Sequence, residues 1–160
     1  MPIEILQTHK LVDTCEAALA TRFTVHKLHE AADKSALLTS YGPDIRAIAG
    51  RGVSAELMGK LPNLEIIANF GVGYDATDIE AARAAGIRVT NTPDVLNNAV
   101  AELTIGLMIG LSRRIPQADQ FVRAGKWPSA GMGLFSELTG KTVGILGLGR
   151  IGKVIASRAP

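Results

Sequence analysis

Cysteine is nearly absent. Cys15 is the only one in 160 residues, which excludes an intrachain disulfide and any multi-cysteine metal site. It lies in an Ala- and Leu-rich run with helical spacing, so its expected role is that of a small buried hydrophobe. Aromatic residues amount to 4%. A core must then be built from Ala, Ile, Leu and Val, as in α/β proteins whose parallel strands are buried on both faces. Charge of one sign is not in excess either: 17 basic and 15 acidic residues leave a formal +2. No basic stripe is clustered, so nucleic-acid binding gains no support. The N-terminus carries no basic segment followed by a long apolar run, which is read as no secretory signal and a cytoplasmic location. The most apolar stretch is free of charge only over 103–112, well short of the ~20 residues a membrane span needs. Catalytic patterns are missing too. His26 and His29 stand three apart with no third ligand in register, so no metal is expected. His9 has no orienting carboxylate beside it, and Ser54, Ser112 and Ser129 lack the Gly-x-Ser-x-Gly frame of a hydrolase nucleophile. No catalytic residue is assigned.

What is present is a 47% hydrophobic, 20% charged chain, a globular composition long enough for one ordinary domain. Short apolar runs at 3–6, 23–28, 45–49, 64–69 and 87–91 read as strands. Helical patterns lie between them at 11–21, about 31–38, 54–61 and 78–85. Ser54 is placed as an N-cap, and acidic residues open the segment from Asp78 that Gly86 closes. Strands alternating with helices argue for βαβ units and one parallel sheet, so residues 1 to about 92 form a complete doubly wound domain. Beyond it the spacing predicts a long apolar helix over 97–114, where Gly106 and Gly110 would allow close helix packing. A more polar helix follows at 115–125, then a Gly- and Pro-broken arm at 127–135 carrying Trp127, Met132, Leu134 and Phe135. Such an arm needs a partner surface to bury it.

Three features bear on ligands. Gly147-x-Gly149-x-x-Gly152 follows an apolar run at 143–146 that reads as a buried strand, and it opens an amphipathic helix. That spacing suits a dinucleotide pyrophosphate on a helix N-terminus: Gly147 for the turn, Gly149 for phosphate approach and Gly152 for close packing. The alternative is a βα turn that binds nothing. The loop Phe70-Gly71-Val72-Gly73-Tyr74-Asp75 ends the fourth strand, on the edge where open α/β sheets bind ligands. Its backbone N–H groups would cradle an anion such as a carboxylate, or its glycines serve turn geometry alone. Gly50-Arg51-Gly52 ends the third strand on the same edge, where Arg51 would pair with a carboxylate or merely be solvated.

Together these motifs resemble one family. Asn69–Asp75, Val89-Thr-Asn-Thr-Pro93, Val100-Ala-Glu-Leu-Thr104 and 140–152 occur in the order seen in D-isomer-specific 2-hydroxyacid dehydrogenases, most closely the glyoxylate/hydroxypyruvate reductase branch. The resemblance implies a flavodoxin-like, doubly wound, five-stranded parallel sheet as substrate domain over 1–95. Residues 96–160 would supply the interdomain helix, a dimerisation arm and the first βα unit of an incomplete Rossmann domain. It implies substrate contacts at Arg51, Val72 and Gly73, and cofactor contacts at Thr104, Gly147, Gly149, Arg150, Ile151 and Gly152. NAD or NADP would serve the parent enzyme, with a small 2-keto or 2-hydroxy acid as substrate. The family's catalytic arginine, glutamate and histidine have no counterpart in these residues. The chain is therefore expected to be an N-terminal fragment: inactive alone, binding no cofactor, and homodimeric with possible exchange of elements. Two other readings stand beside it: a flavodoxin-like scaffold with no ligand, and a flavin- or phosphate-binding module.

Overall fold

In the computed structural model residues 2–159 are described, and the chain divides into two compact units after Pro93. The first is built on five strands: β1 (Ile3–Gln7), β2 (Phe23–Lys27), β3 (Ile45–Gly50), β4 (Ile66–Asn69) and β5 (Arg88–Thr90). All pair in parallel, in the order β2-β1-β3-β4-β5, which is the flavodoxin-like doubly wound order expected. The chain runs from β1 outward to β2, then back past β1 to β3. The point where the winding reverses therefore lies between β1 and β3, and their carboxyl ends are Thr8–His9 and Arg51.

Helices α1 (Asp13–Ala20), α2 (Lys34–Tyr41), α3 (Ala55–Gly59) and α4 (Ile79–Ala84) join the strands, with a 3₁₀ turn at Gly42–Asp44. Their starts follow from local chemistry. Asp33, Ser54 and Asp78 each accept a hydrogen bond from the backbone N–H three residues on, at Ala36, Leu57 and Ala81. α1 lacks such a cap. Its first turn is held instead by Glu16, whose carboxylate accepts from the Leu11 N–H at 3.0 Å.

The core has two parts. Leu38, Met58, Leu61 and Ala82 of the α2–α4 layer pack on Leu6, Ile45, Ile48 and Ile67. The smaller cluster joins Leu11 to Ile5 and Ala49, with Cys15, Leu19, Phe23 and Val25 against it. Cys15 is half-buried there, as its expected packing role requires. Of the two sheet faces, one carries three helices and the other only α1. On that second face Ala68 of β4 and Thr90 of β5 are exposed.

The second unit holds α5 (Asn97–Ser112), α6 (Ile115–Arg123) and α7 (Arg150–Arg158). Arg158 of α7 reaches α5, donating to the Asn98 side chain at 2.9 Å and to Glu102 at 3.1 Å. The apolar side of α5 is exposed: Leu103, Leu107, Ile109 and Leu111 all face outward. Trp127 and Leu134 of the arm are exposed as well, as an arm without a partner must be. One expectation fails. No ladder forms at 143–146, because a strand exists only through a neighbour's N–H and C=O groups, and none adjoins it among the described residues. A Cβ at Gly106 or Gly110 would meet nothing within 4 Å among the described residues. No helix is long and apolar enough to cross a membrane among the described residues.

Candidate functional site

The parallel sheet gathers all five strand ends on one edge. At the winding reversal, Thr8 ties β1 to the residue after β3. Its hydroxyl donates to the Arg51 carbonyl and accepts from the Arg51 N–H, both at 3.1 Å. The main chain of Arg51 is thus bracketed by one side chain while its guanidinium stays exposed, with no ion-pair partner among the described residues. His9 lies alongside, its Nδ1 3.4 Å from the Thr8 hydroxyl. Burial, then the Arg51 charge and His29, push the His9 pKa below the usual imidazole value, so the ring is neutral at pH 7.

Beneath this edge a second network fixes α1. Glu16 accepts from Lys27 at 2.9 Å, from Gln7 at 2.7 Å and from the Leu11 N–H at 3.0 Å. Those bonds, Lys27 first, hold its carboxyl at about 2. His26, by contrast, lies away from the edge, 2.7 Å from Glu4 and stacked on Tyr41. No group of three His, Cys, Asp or Glu able to hold a metal exists among the described residues.

The loop after β4 has a defined internal order. Phe70 N–H donates to the Gly50 carbonyl at 2.7 Å. The Asn69 side-chain amide donates to the carbonyls of Gly71 (3.2 Å) and Gly73 (3.0 Å). The Asn91 amide donates to the Val72 carbonyl at 2.8 Å, and the Thr92 N–H to that of Gly71 at 3.0 Å. Three consecutive carbonyls are thereby occupied from inside. Every peptide bond here is trans, so each carbonyl and the next residue's N–H point oppositely. The N–H groups of Val72, Gly73 and Tyr74 consequently face away from the asparagines, and none has an acceptor among the described residues. A row of unpaired N–H groups has the chemistry to take up an anion. Of the residues expected to meet substrate, Arg51, Val72 and Gly73 all stand on this one edge. Asn69, Asn91 and Thr8 went unforeseen. The only signal for the first two was an asparagine at the end of each strand that flanks a glycine loop.

Next to the loop a groove of about 320 Å³ separates α1 from the ends of β3, β4 and β5. Its walls include Leu11, Cys15, Leu19, Phe23, Ala68 and Phe70, with Asn69 and Asn91 as polar members.

The expected dinucleotide turn lies in the second unit. Gly147 has φ +95°, which side chains avoid. A Cβ on Gly152 would run into the Gly147 carbonyl, so the turn and the first helical residue approach to a distance only glycine permits. Gly149 is the N-cap of α7, and the Lys153 N–H donates to the Gly149 carbonyl at 3.0 Å. The N–H groups of Arg150 and Ile151 are therefore among the free donors every helix start leaves, and the nine-residue helix orients its positive end toward them. This geometry fits a pyrophosphate. Arg150 also pairs with Asp94 at 3.1 Å. The Thr104 hydroxyl donates to the Val100 carbonyl at 2.7 Å, one turn back on α5.

Comparison with known proteins adds the name of a family. The model of the catalytic domain of D-isomer specific 2-hydroxyacid dehydrogenases matches residues 3–157. Glyoxylate/hydroxypyruvate reductase A of Arabidopsis thaliana is 44% identical over 98% of this chain and 51% of its own length. Among solved structures, a 2-hydroxyacid dehydrogenase from Ketogulonicigenium vulgare Y25 matches with TM-score 0.91 at 46% identity, over 99% of this chain and 52% of that one. An NADPH-dependent glyoxylate/hydroxypyruvate reductase from Sinorhizobium meliloti, solved with NADP and malonate, matches with TM-score 0.85 at 43% identity, over 99% and 50%. The chain thus spans about half the length of these relatives. On the sheet order, the sequence match and these structural likenesses together, it belongs to the family of D-isomer-specific 2-hydroxyacid dehydrogenases.

Proposed function

We propose that this chain is the substrate-recognising portion of an NAD(P)-dependent reductase of small 2-keto acids such as glyoxylate or hydroxypyruvate. The observation that carries the reading is the row of N–H groups at Val72, Gly73 and Tyr74, free of internal acceptors and on the same edge as the unpaired Arg51. A 2-keto acid presents a carboxylate whatever its remaining substituent. Val72 and Gly73 would hold that carboxylate by charge-assisted hydrogen bonds, and Arg51 would supply the opposite charge. The relative from Sinorhizobium meliloti is described with malonate, a small dicarboxylate, which agrees with this chemistry.

Gly147, Gly149 and Gly152 shape the turn, and the Arg150 and Ile151 N–H groups would take the dinucleotide pyrophosphate, with Thr104 as a further contact. A nicotinamide dinucleotide, when bound, supplies the hydride. The chain's own part is to bind and orient. At the ligand edge the neutral His9 faces a cation rather than a carboxylate, and the His26–Glu4 pair lies away from it. We therefore propose that the 160-residue chain alone transfers no hydride and retains no measurable dinucleotide. The exposed row Leu103, Leu107 and Leu111 of α5, with Trp127, is where a homodimer would form.

Nitrogen–proton NMR titration with glyoxylate and with malonate tests the carboxylate site. Selective shifts of the Val72, Gly73 and Tyr74 amides support it, and unshifted amides at millimolar acid refute it. Clear oxidation of NADH or NADPH by the pure chain with glyoxylate would refute the inactivity. Light scattering at high concentration should give twice the 16.8 kDa chain mass, and a sharp monomer would refute the dimer.

A further inference from the structure

We infer that Asn69 and Asn91 are positioning residues that set the carboxylate seat by holding its carbonyls from behind. The inference rests on the reading of the 71–74 loop as the carboxylate site, and it adds what makes that loop competent. A loop containing two glycines has the widest conformational choice of any backbone. An unrestrained loop would spread its N–H groups over many directions and lose entropy on ordering around a ligand. Here one side chain grips Gly71 and Gly73, and another grips Val72 between them. The grip is on carbonyls alone, so it consumes none of the donors a carboxylate needs.

Asn69 is 3% exposed, and its Oδ1 has no partner among the described residues. Burying an amide oxygen without a bond is unfavourable, and an apolar side chain of similar size would avoid it. The reverse orientation of the amide would set Oδ1 against two carbonyl oxygens, so donation to Gly71 and Gly73 decides which way it lies. The residue is thus arranged for donation to this loop at the expense of its other half. Asn91 comes from a different strand end, 19 residues away. The loop is held at two independent points, and its form reports the relative placement of β4 and β5.

The test uses the 160-residue chain with two substitutions at the half-buried position, Asn91→Ala and Asn91→Asp, and one at the buried position, Asn69→Ser. Asn91→Asp keeps the size and removes the donor. Three quantities are read: malonate affinity by amide shifts, nitrogen relaxation of the Val72, Gly73 and Tyr74 amides without ligand, and the thermal midpoint. Positioning predicts at least tenfold weaker malonate binding in both Asn91 variants, faster loop motion in the free chain, and a midpoint close to wild type. A merely structural role would move the midpoint and leave affinity and relaxation of the folded fraction as they were. Unchanged relaxation and affinity in folded Asn91→Asp overturn the inference alone. Asn69→Ser retains one hydroxyl donor and should fall between wild type and the Asn91 variants in loop motion, and equal rigidity to wild type counts against the clamp. If wild type binds no malonate, the carboxylate reading falls. The relaxation data still show separately whether the loop is held.

Discussion

Gly50 ends β3 with φ +157°, and a Cβ built there would overlap the Thr8 hydroxyl and lie 3.2 Å from His9 Nδ1. Replacing it with alanine therefore has two separable costs. The first is backbone strain in a region nearly reserved for glycine, about 1–3 kcal/mol. The second is steric: the Thr8 hydroxyl must leave its place between the Arg51 N–H and carbonyl. Overpacking of this kind costs ~1–3 kcal/mol, and the two lost hydrogen bonds add ~1 kcal/mol each. A unit of this size commonly holds roughly 5–14 kcal/mol, so Gly50→Ala, losing about 4–8 kcal/mol, keeps only part of that margin. Thr8→Ala alone removes the two bonds and should cost ~1–2 kcal/mol. In the double variant the obstacle is gone and only strain and the missing bonds remain. The double variant should then be more stable than the sum of the singles predicts by about 2–5 kcal/mol, the steric cost plus the bond loss counted in both singles. Urea titrations followed through amide signals of Leu6 and Ile48 measure all three. Additivity within ~0.5 kcal/mol would refute the bracket geometry. Malonate affinity should fall in Thr8→Ala as well, since the bracket is what steadies Arg51.

Three further outcomes follow from the same contacts. The Glu16 carboxyl at about 2 lies below its ordinary 4.5, so its contribution to stability is complete above that ordinary value and disappears as pH falls toward 2. Urea midpoints from pH 6 to about 2 should drop more steeply for wild type than for Glu16→Gln, and parallel curves would contradict this. Gly152→Ala should force the start of α7 off the Gly147 carbonyl, seen as lost hydrogen-exchange protection of the Lys153 amide, and unchanged protection would show that the approach is not close. Asp75 places a carboxylate oxygen 3.1 Å from where a Cβ of Gly73 would be. Asp75→Asn should therefore tighten malonate binding about two- to threefold at low salt, an effect that 1 M salt suppresses.

The strands and caps of the first unit were legible because their signals are local. Val, Ile and Leu runs bounded by turn residues placed all five strands, and Ser54 and Asp78 announced their helices by type and position. The glycine turn was legible as well, since φ at Gly147 and the approach at Gly152 depend on residues five apart. Local reading failed where partners are distant. The apolar run at 143–146 has strand composition, yet pairing is decided by a neighbour elsewhere in the chain. Thr8 and Arg51 lie 43 residues apart, and nothing in either stretch marks the bond between them. Asn69 and Asn91 resemble ordinary turn asparagines. Their common target emerges only when β4 and β5 lie side by side.

The donors at positions 72–74 are main-chain atoms, and this separates two tasks that side-chain sites must combine. Phe70 and Tyr74 project outward at 38% and 50% exposure, and either can be exchanged without deleting a donor. Under the carboxylate role proposed above, variation at these positions would retune which acid substituents are admitted while the hold on the carboxylate stays constant. Only proline, lacking an N–H, would erase a donor at Val72 or Gly73. A main-chain seat of this kind would keep its donors while the side chains around it change.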